Sequence, residues 1–249
     1  MAAPKEPKPE GAFNGFHSGT IEFLMAIRFN NNREFFLENR EWYERDVREP
    51  ARALADALGE TVRAMDPYLE IRPQRVVSRI NRDVRFSRDK SPYRDNVWLA
   101  FRRPGEERNT ALGVYFDLSV EGGCFGMGYY DENRPMMNAL RRQILTAPEQ
   151  FLELSERAMR GFTLYPKAMK RMPIPESLPE ALRPWYALRG FYMERELRDF
   201  SLLYSSALVG ELCDGYRQLT PFYQYLTALA PEASPDETKI VAPPRTEDG

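Results

Sequence analysis

Hydrophobic spacing along this chain changes period twice, and nothing else in the sequence narrows the fold as much. In the first third, Ile21, Leu24 and Met25 mark a short helix near Thr20–Arg28, which Ser18 or Gly19 can cap. Phe36, Tyr43, Val47, Leu54, Leu58 and Met65 then recur at steps of seven and four, the stripe of one long helix or of two in line. Asn31 and Glu34 are spaced as a capping box for this element, and Asp66-Pro67 closes it. Pro50 must kink it or begin its second half, because proline brings no N–H and its ring collides with the preceding turn.

From Arg75 to Phe86 the period becomes two. Val76, Ile80, Val84 and Phe86 fall on one face of an expected strand, with Arg79, Asn81, Asp83 and Arg85 on the other. Val97–Arg103 and Ala111–Val120 read as two further strands joined by a turn at Pro104-Gly105, and Gly122-Gly123 turns the chain into a strand over Cys124–Tyr130. Successive hairpins predict an antiparallel sheet. Helical spacing returns at Pro135–Leu145, at Pro148–Met159 and over Glu194–Leu229, where Leu202, Leu203, Leu208, Leu212 and Tyr216 are the apolar positions. Tyr165–Pro184 carries prolines at 166, 173, 175, 179 and 184 and is expected to be a wrapping loop. The fold class is therefore α+β: an antiparallel sheet of about four to six strands flanked by N-terminal and C-terminal helices. One domain is expected over residues 12–230, with disordered tails at 1–11 and 231–249, both rich in proline and charge.

Formal net charge is −2, so no overall field draws the molecule toward nucleic acid or an anionic membrane. No run approaches the length of a membrane span, and Met1–Glu10 lacks the apolar centre of a secretory leader, so no membrane partner and a cytoplasmic location are expected. Cys124 and Cys213 have no Cys or His partner at zinc-ligand spacing and are read as buried free thiols.

Against this neutral background residues 72–94 stand apart. Eight basic residues (Arg72, Arg75, Arg79, Arg82, Arg85, Arg88, Lys90, Arg94) face two acidic ones (Asp83, Asp89), a local charge of +6. Arginine offers a fixed fork of donors that suits phosphate and carboxylate oxygens, so several around one strand end could surround an anion. Asp83 and Asp89 lie in a positive field that favours their ionised forms, which suits them to orient the arginines. Ser91-Pro92-Tyr93 stiffens the following turn, which can aim Lys90 and Arg94, and Tyr93 could pack on a ligand. The candidate ligand-binding set is Arg79, Arg82, Asp83, Arg85, Asp89, Lys90, Tyr93 and Arg94. The partner it implies is an anionic, phosphorylated or nucleotide-like small molecule. One competing reading is a noncatalytic module docking an acidic protein or, less favoured, a nucleic-acid backbone. Another is an ion-pair network tying this segment to Glu34, Glu38, Glu41 or Asp117.

The run Asn81-Arg82-Asp83-Val84-Arg85-Phe86-Ser87-Arg88-Asp89-Lys90-Ser91-Pro92-Tyr93-Arg94 resembles the signature of the DUF2461 family of conserved hypothetical proteins. Phe23-Leu24 followed by Asn30-Asn31-Asn32-Arg33-Glu34-Phe35-Phe36 is similar to that family's opening pattern, and so is Gly126-Met127-Gly128-Tyr129-Tyr130 followed by Leu140-Arg141. The resemblance runs over roughly residues 13–225. Met172-Pro173-Ile174-Pro175 departs from it, standing where a Pro-Lys-Gly-like element belongs. It implies a fold and a shared site, and it transfers no activity.

Elsewhere the plainer readings prevail. Gly126 and Gly128 alternate on one strand face, where a ligand or a backbone could approach, though room for facing aromatic side chains is preferred. Tyr115, Tyr129 and Tyr130 are read as wall residues, and His17, the single histidine, as a surface or capping residue. Ser87 and Ser91 have neither a nucleophile elbow nor a histidine base. Glu34, Glu38 and Glu41 could hold a divalent ion with Asp83, but solvated helix charges explain them more simply and no metal site is expected. The sequence assigns no catalytic residue, no cofactor and no oligomeric state.

Overall fold

The computed structural model describes residues 12–85 and 88–229; the expected tails and the last position of the expected Arg75–Phe86 strand, Phe86, lie outside the described residues. In chain order the elements are α1 (Ser18–Phe29), α2 (Arg33–Glu38), α3 (Arg40–Tyr43), a π-helical turn (Glu44–Arg48), α4 (Glu49–Met65) and α5 (Pro73–Val76). Strands β1 (Val97–Arg102), β2 (Leu112–Ser119) and β3 (Gly122–Tyr129) follow, then α6 (Arg134–Thr146), α7 (Pro148–Met159) and β4 (Thr163–Ala168). A short 3-10 turn (Glu180–Leu182) leads into α8 (Arg183–Tyr186), β5 (Leu188–Leu197), α9 (Phe200–Leu203) and α10 (Ala207–Leu229). The strands form an antiparallel five-stranded sheet in the order β1-β2-β3-β5-β4, which makes the fold α+β. No described helix is long and apolar enough to cross a membrane.

Backbone contacts divide the chain into two compact units. The first comprises Met1–Phe101, Tyr115–Phe125 and Glu196–Asp214; the second comprises Arg102–Val114, Gly126–Arg195 and Gly215–Gly249. In the first, the expected long helix is present but broken. Asn32 caps α2 by accepting from Phe35 N, the role the spacing had given to Asn31. Pro50 lies in the first turn of α4, which follows directly on the π-turn. Phe23 of α1 packs edge-on against Trp42 at 5.4 Å and beside Tyr43 at 5.5 Å, so the two helical segments share one aromatic contact. In the second unit Trp185 and Phe222 contact each other, and each contacts both Phe151 and Phe191, so the four rings form an aromatic core.

Three expectations are corrected. Arg75–Phe86 is not a strand: Pro73–Val76 is a helical turn, and the described chain beyond it is extended, with isolated bridges Val77↔Leu99 and Asn81↔Tyr93. The two-residue period still reports its faces, since Val76 and Ile80 are buried while Arg79, Asn81, Asp83 and Arg85 are exposed. Tyr165–Pro184 is not all loop, because β4 includes Tyr165 and Pro166. A proline is tolerated there because β4 is the sheet's edge strand. The final helical region begins later than Glu194, which lies in β5; that strand runs to Leu197.

Gly126 and Gly128 are explained by backbone rather than by side-chain room. A Cβ on Gly126 would lie 1.7 Å from Met193 O, and one on Gly128 (φ 153°) 2.4 Å from Tyr192 Cα, so β5 approaches β3 too closely for any side chain.

Candidate functional site

The cationic segment is held in place from both sides by short-range chemistry. Ser78 N donates to Trp98 O (2.8 Å), Arg82 N to Pro92 O (2.9 Å) and Arg94 N to Ile80 O (2.8 Å), which folds 78–82 back along 92–98. The Asn31 side chain spans the main chain of Tyr93, accepting from its N at 2.9 Å and donating to its O at 3.0 Å. This explains why Asn31 is not the helix cap. Tyr93 is buried and stacks on Phe36 at 4.5 Å, so its ring anchors the loop in the core and is not displayed to a ligand.

Arg82 lies between two carboxylates, bonding Asp89 through Nη1 and Asp95 through Nη2 at 3.5 Å. Asp95 also accepts from Arg28 Nε at 2.6 Å, and the same guanidinium grips Glu121 at 2.6 and 3.2 Å. The chain Asp89–Arg82–Asp95–Arg28–Glu121 thus alternates in sign throughout. Arg28 and the Ser119 hydroxyl pull the Glu121 carboxyl down to about 2. Asp83 is likewise held at about 2, chiefly by the Arg85 guanidinium, which it binds at 2.7 and 3.0 Å. Asp89 is lowered first by hydrogen bonds from Ser91 and then by Arg82. Arg82 and Arg85 thus meet acids of the same stretch of chain, Asp83, Asp89 and Asp95. Asp117 accepts from Asn96 at 2.7 Å.

The remaining cations differ. Lys90 Nζ donates to Val84 O at 2.9 Å, a neutral acceptor, and Arg79 and Arg88 are exposed with no ion pair among the described residues. Arg94 places its guanidinium 4.3 Å above the Trp98 ring. The structure thus brings Arg82 and Asp89 together, and Asp83 and Arg85 together. It leaves the Lys90 and Arg79 charges facing solvent. Among the described residues no three His, Cys, Asp or Glu side chains gather as a metal site would need.

Two features escaped the sequence reading. A cleft of about 570 Å³ is lined by Phe13, Gly15, Arg45, Pro50, Arg52 and Asp56, among others, and touches the cationic segment only at its start, Pro73 and Gln74. Its arginines are engaged, Arg45 by Asp46 and Arg52 by Glu49. The second is Arg141, a guanidinium 1% exposed. Its signal was present: Met137, Leu140, Arg141 and Ile144 occupy one apolar helical stripe, and a charge at a stripe position is a buried charge.

His17 occupies the N-cap position of α1 with its imidazole 3.5 Å from Asp46. Neither cysteine is in a disulfide, Cys213 is buried and Cys124 half-buried, and Thr61 Oγ1 lies 3.1 Å from Cys213 Sγ. Of the tyrosines, Tyr129 is buried, Tyr115 half-buried and Tyr130 exposed.

No curated protein matches this chain. A family model does, from residue 19 to residue 225, and it spans both the Asn31–Tyr93 clasp and the cationic segment: the chain belongs to the family described as conserved hypothetical protein (DUF2461).

Proposed function

We propose that the segment from Arg79 to Arg94 recognises an anion, and that the ligand is a phosphorylated or nucleotide-like small molecule. The observation that carries this reading is the pairing pattern. Arg82 and Arg85 are neutralised by carboxylates, whereas the Lys90 ammonium is positioned by a carbonyl and keeps its charge. Presenting a cation fixed by a neutral acceptor to an incoming phosphate does not require an ion pair to break. Arg79 and Arg94 would supply further donors, Asp83 and Asp89 would orient the arginines, and Tyr93 would act through the loop it anchors. The reading assigns no catalytic step.

A second reading, a noncatalytic surface that docks an acidic protein or a nucleic-acid backbone, is favoured by one observation. Arg79, Arg85, Arg88 and Lys90 are all exposed, which describes an open strip more than an enclosed cavity. A thermal-shift screen separates the two, since a ligand that binds only the folded state raises its melting temperature. Phosphate, nucleotides and organic acids should stabilise the protein, with the shift lost in Lys90→Ala. Stabilisation by an oligonucleotide or acidic peptide alone, falling steeply with salt, would transfer the assignment to the second reading. No response to any of these probes would overturn both.

A further inference from the structure

We propose that Arg141 and Tyr186 enclose a binding site for one small monovalent anion of chloride size, in the packing of α6, α8 and β5. The site is independent of the cationic segment.

Arg141 makes three hydrogen bonds, all to neutral acceptors. Nε donates to Tyr186 O at 2.8 Å, Nη1 to Asn138 Oδ1 at 2.6 Å, and Nη2 to Leu188 O. A guanidinium carries five N–H groups, so one remains on each terminal nitrogen. No carboxylate pairs with it among the described residues. Tyr186, whose main-chain carbonyl holds Nε, is itself 0% exposed, and its phenolic oxygen has no hydrogen-bond partner.

Two unused guanidinium donors with an uncompensated positive charge, and the unpartnered phenol of the residue whose carbonyl that guanidinium holds, are therefore buried in the same part of the fold. Burying a charge without a counter-charge is among the most costly arrangements in a protein interior. A water molecule would accept from the donors, but it would bring two O–H groups needing acceptors of their own and would leave the charge in place. A monovalent anion accepts from every donor and cancels the charge. Leu182, Trp185 and Leu188, close to Tyr186 in the chain, are buried apolar residues, and apolar surroundings favour a single-atom anion over an oxyanion.

The test is thermal unfolding with sodium chloride replacing sodium gluconate at constant ionic strength, in the wild type, in Tyr186→Phe and in Arg141→Met. A bound ion raises the melting temperature of the wild type saturably, by about 2–5 °C. Tyr186→Phe removes only a hydroxyl that has no protein partner, so it folds. In gluconate it melts at or above the wild type, and in chloride it gains less than a third of the wild-type shift. Arg141→Met, where it folds, shows no chloride response. Bromide should replace chloride and give an anomalous-scattering peak between Arg141 and Tyr186 in crystals. A wild type indifferent to chloride, or an equal chloride shift in Tyr186→Phe, overturns the proposal.

Discussion

The Thr20 hydroxyl donates to the main-chain carbonyl of Asp46 at 2.5 Å, and that carbonyl is the one to which Pro50, four residues on, cannot donate. Proline within a helical run leaves an orphaned acceptor and a ring that crowds it. The chain relieves the crowding by widening to the π-turn Glu44–Arg48, and α1 supplies the missing donor from outside. A side chain 26 positions upstream thereby ties α1 to the entry of α4.

Thr20→Val keeps the shape of this buried side chain and deletes the donor. It should destabilise the protein by about 1–3 kcal/mol, the cost of leaving a buried carbonyl unsatisfied. Thr20→Ser, which keeps the hydroxyl, should lose markedly less. Chemical denaturation of both variants measures the difference, and equal losses would mean that packing, not the hydrogen bond, is what Thr20 provides.

Asp95 is the shared acceptor of Arg28 and Arg82, so Asp95→Asn weakens two ion pairs at once. Partly exposed pairs contribute little singly, and the combined loss should be about 1 kcal/mol. Because the network is open to solvent, the gap between wild type and variant should narrow toward zero in molar salt. A gap that is unchanged by salt would show that Asp95 acts through a hydrogen bond that Asn cannot reproduce.

Where local pattern and tertiary packing agreed, the sequence was readable: the alternation over 97–102, 112–119 and 122–129 and the stripes of α6 and α7 locate these elements to within a few residues. It failed where one residue type carried two meanings. Pro166 read as a loop breaker because nothing local reveals that its strand is the sheet edge, where an absent N–H does no harm. The charges of the candidate segment were legible, but their division was not. The fold of the loop gives Arg82 two carboxylates, Asp89 and Asp95, and gives Lys90 the Val84 carbonyl, and Asp95 also meets Arg28, a partner 67 positions away. Arg141 was visible as a charge on an apolar stripe, yet its acceptors, Tyr186 O and Leu188 O, lie between the expected loop and the expected final helix, where the sequence pattern assigned no element.

Two glycine-to-alanine changes should move stability in opposite directions. Gly126→Ala drives a methyl group to 1.7 Å from Met193 O, where β3 and β5 are backbone to backbone and neither can yield. The loss should exceed about 3 kcal/mol, in the range of severe core substitutions. Gly210 is exposed in α10, and nothing lies within 4 Å of a Cβ added there. Gly210→Ala should stabilise by about 0.5–1 kcal/mol through helix propensity and a less flexible unfolded chain. Thermal melts decide both, and a tolerated Gly126→Ala would contradict the close strand approach.

Acid should remove the contribution of the outer ion pairs within a definable window. Glu121 is held at about 2 in the folded protein, first by Arg28 and then by the Ser119 hydroxyl, against an ordinary value of 4.5. Unfolding releases it toward that ordinary value, so between the two values the unfolded chain binds more protons than the folded one. Its stabilising contribution is therefore complete above about 4.5, declines as pH falls and is gone below about 2. Glu70, lowered to about 2 chiefly by Arg72, behaves in the same sense. Glu121 is largely exposed, so solvent screening keeps its share small. Glu121→Gln should lower stability at neutral pH and converge on the wild type as pH approaches 2. A constant difference between the two proteins from neutral pH down to that point, followed by denaturant titration, would show that the carboxylate charge is not what Arg28 recognises.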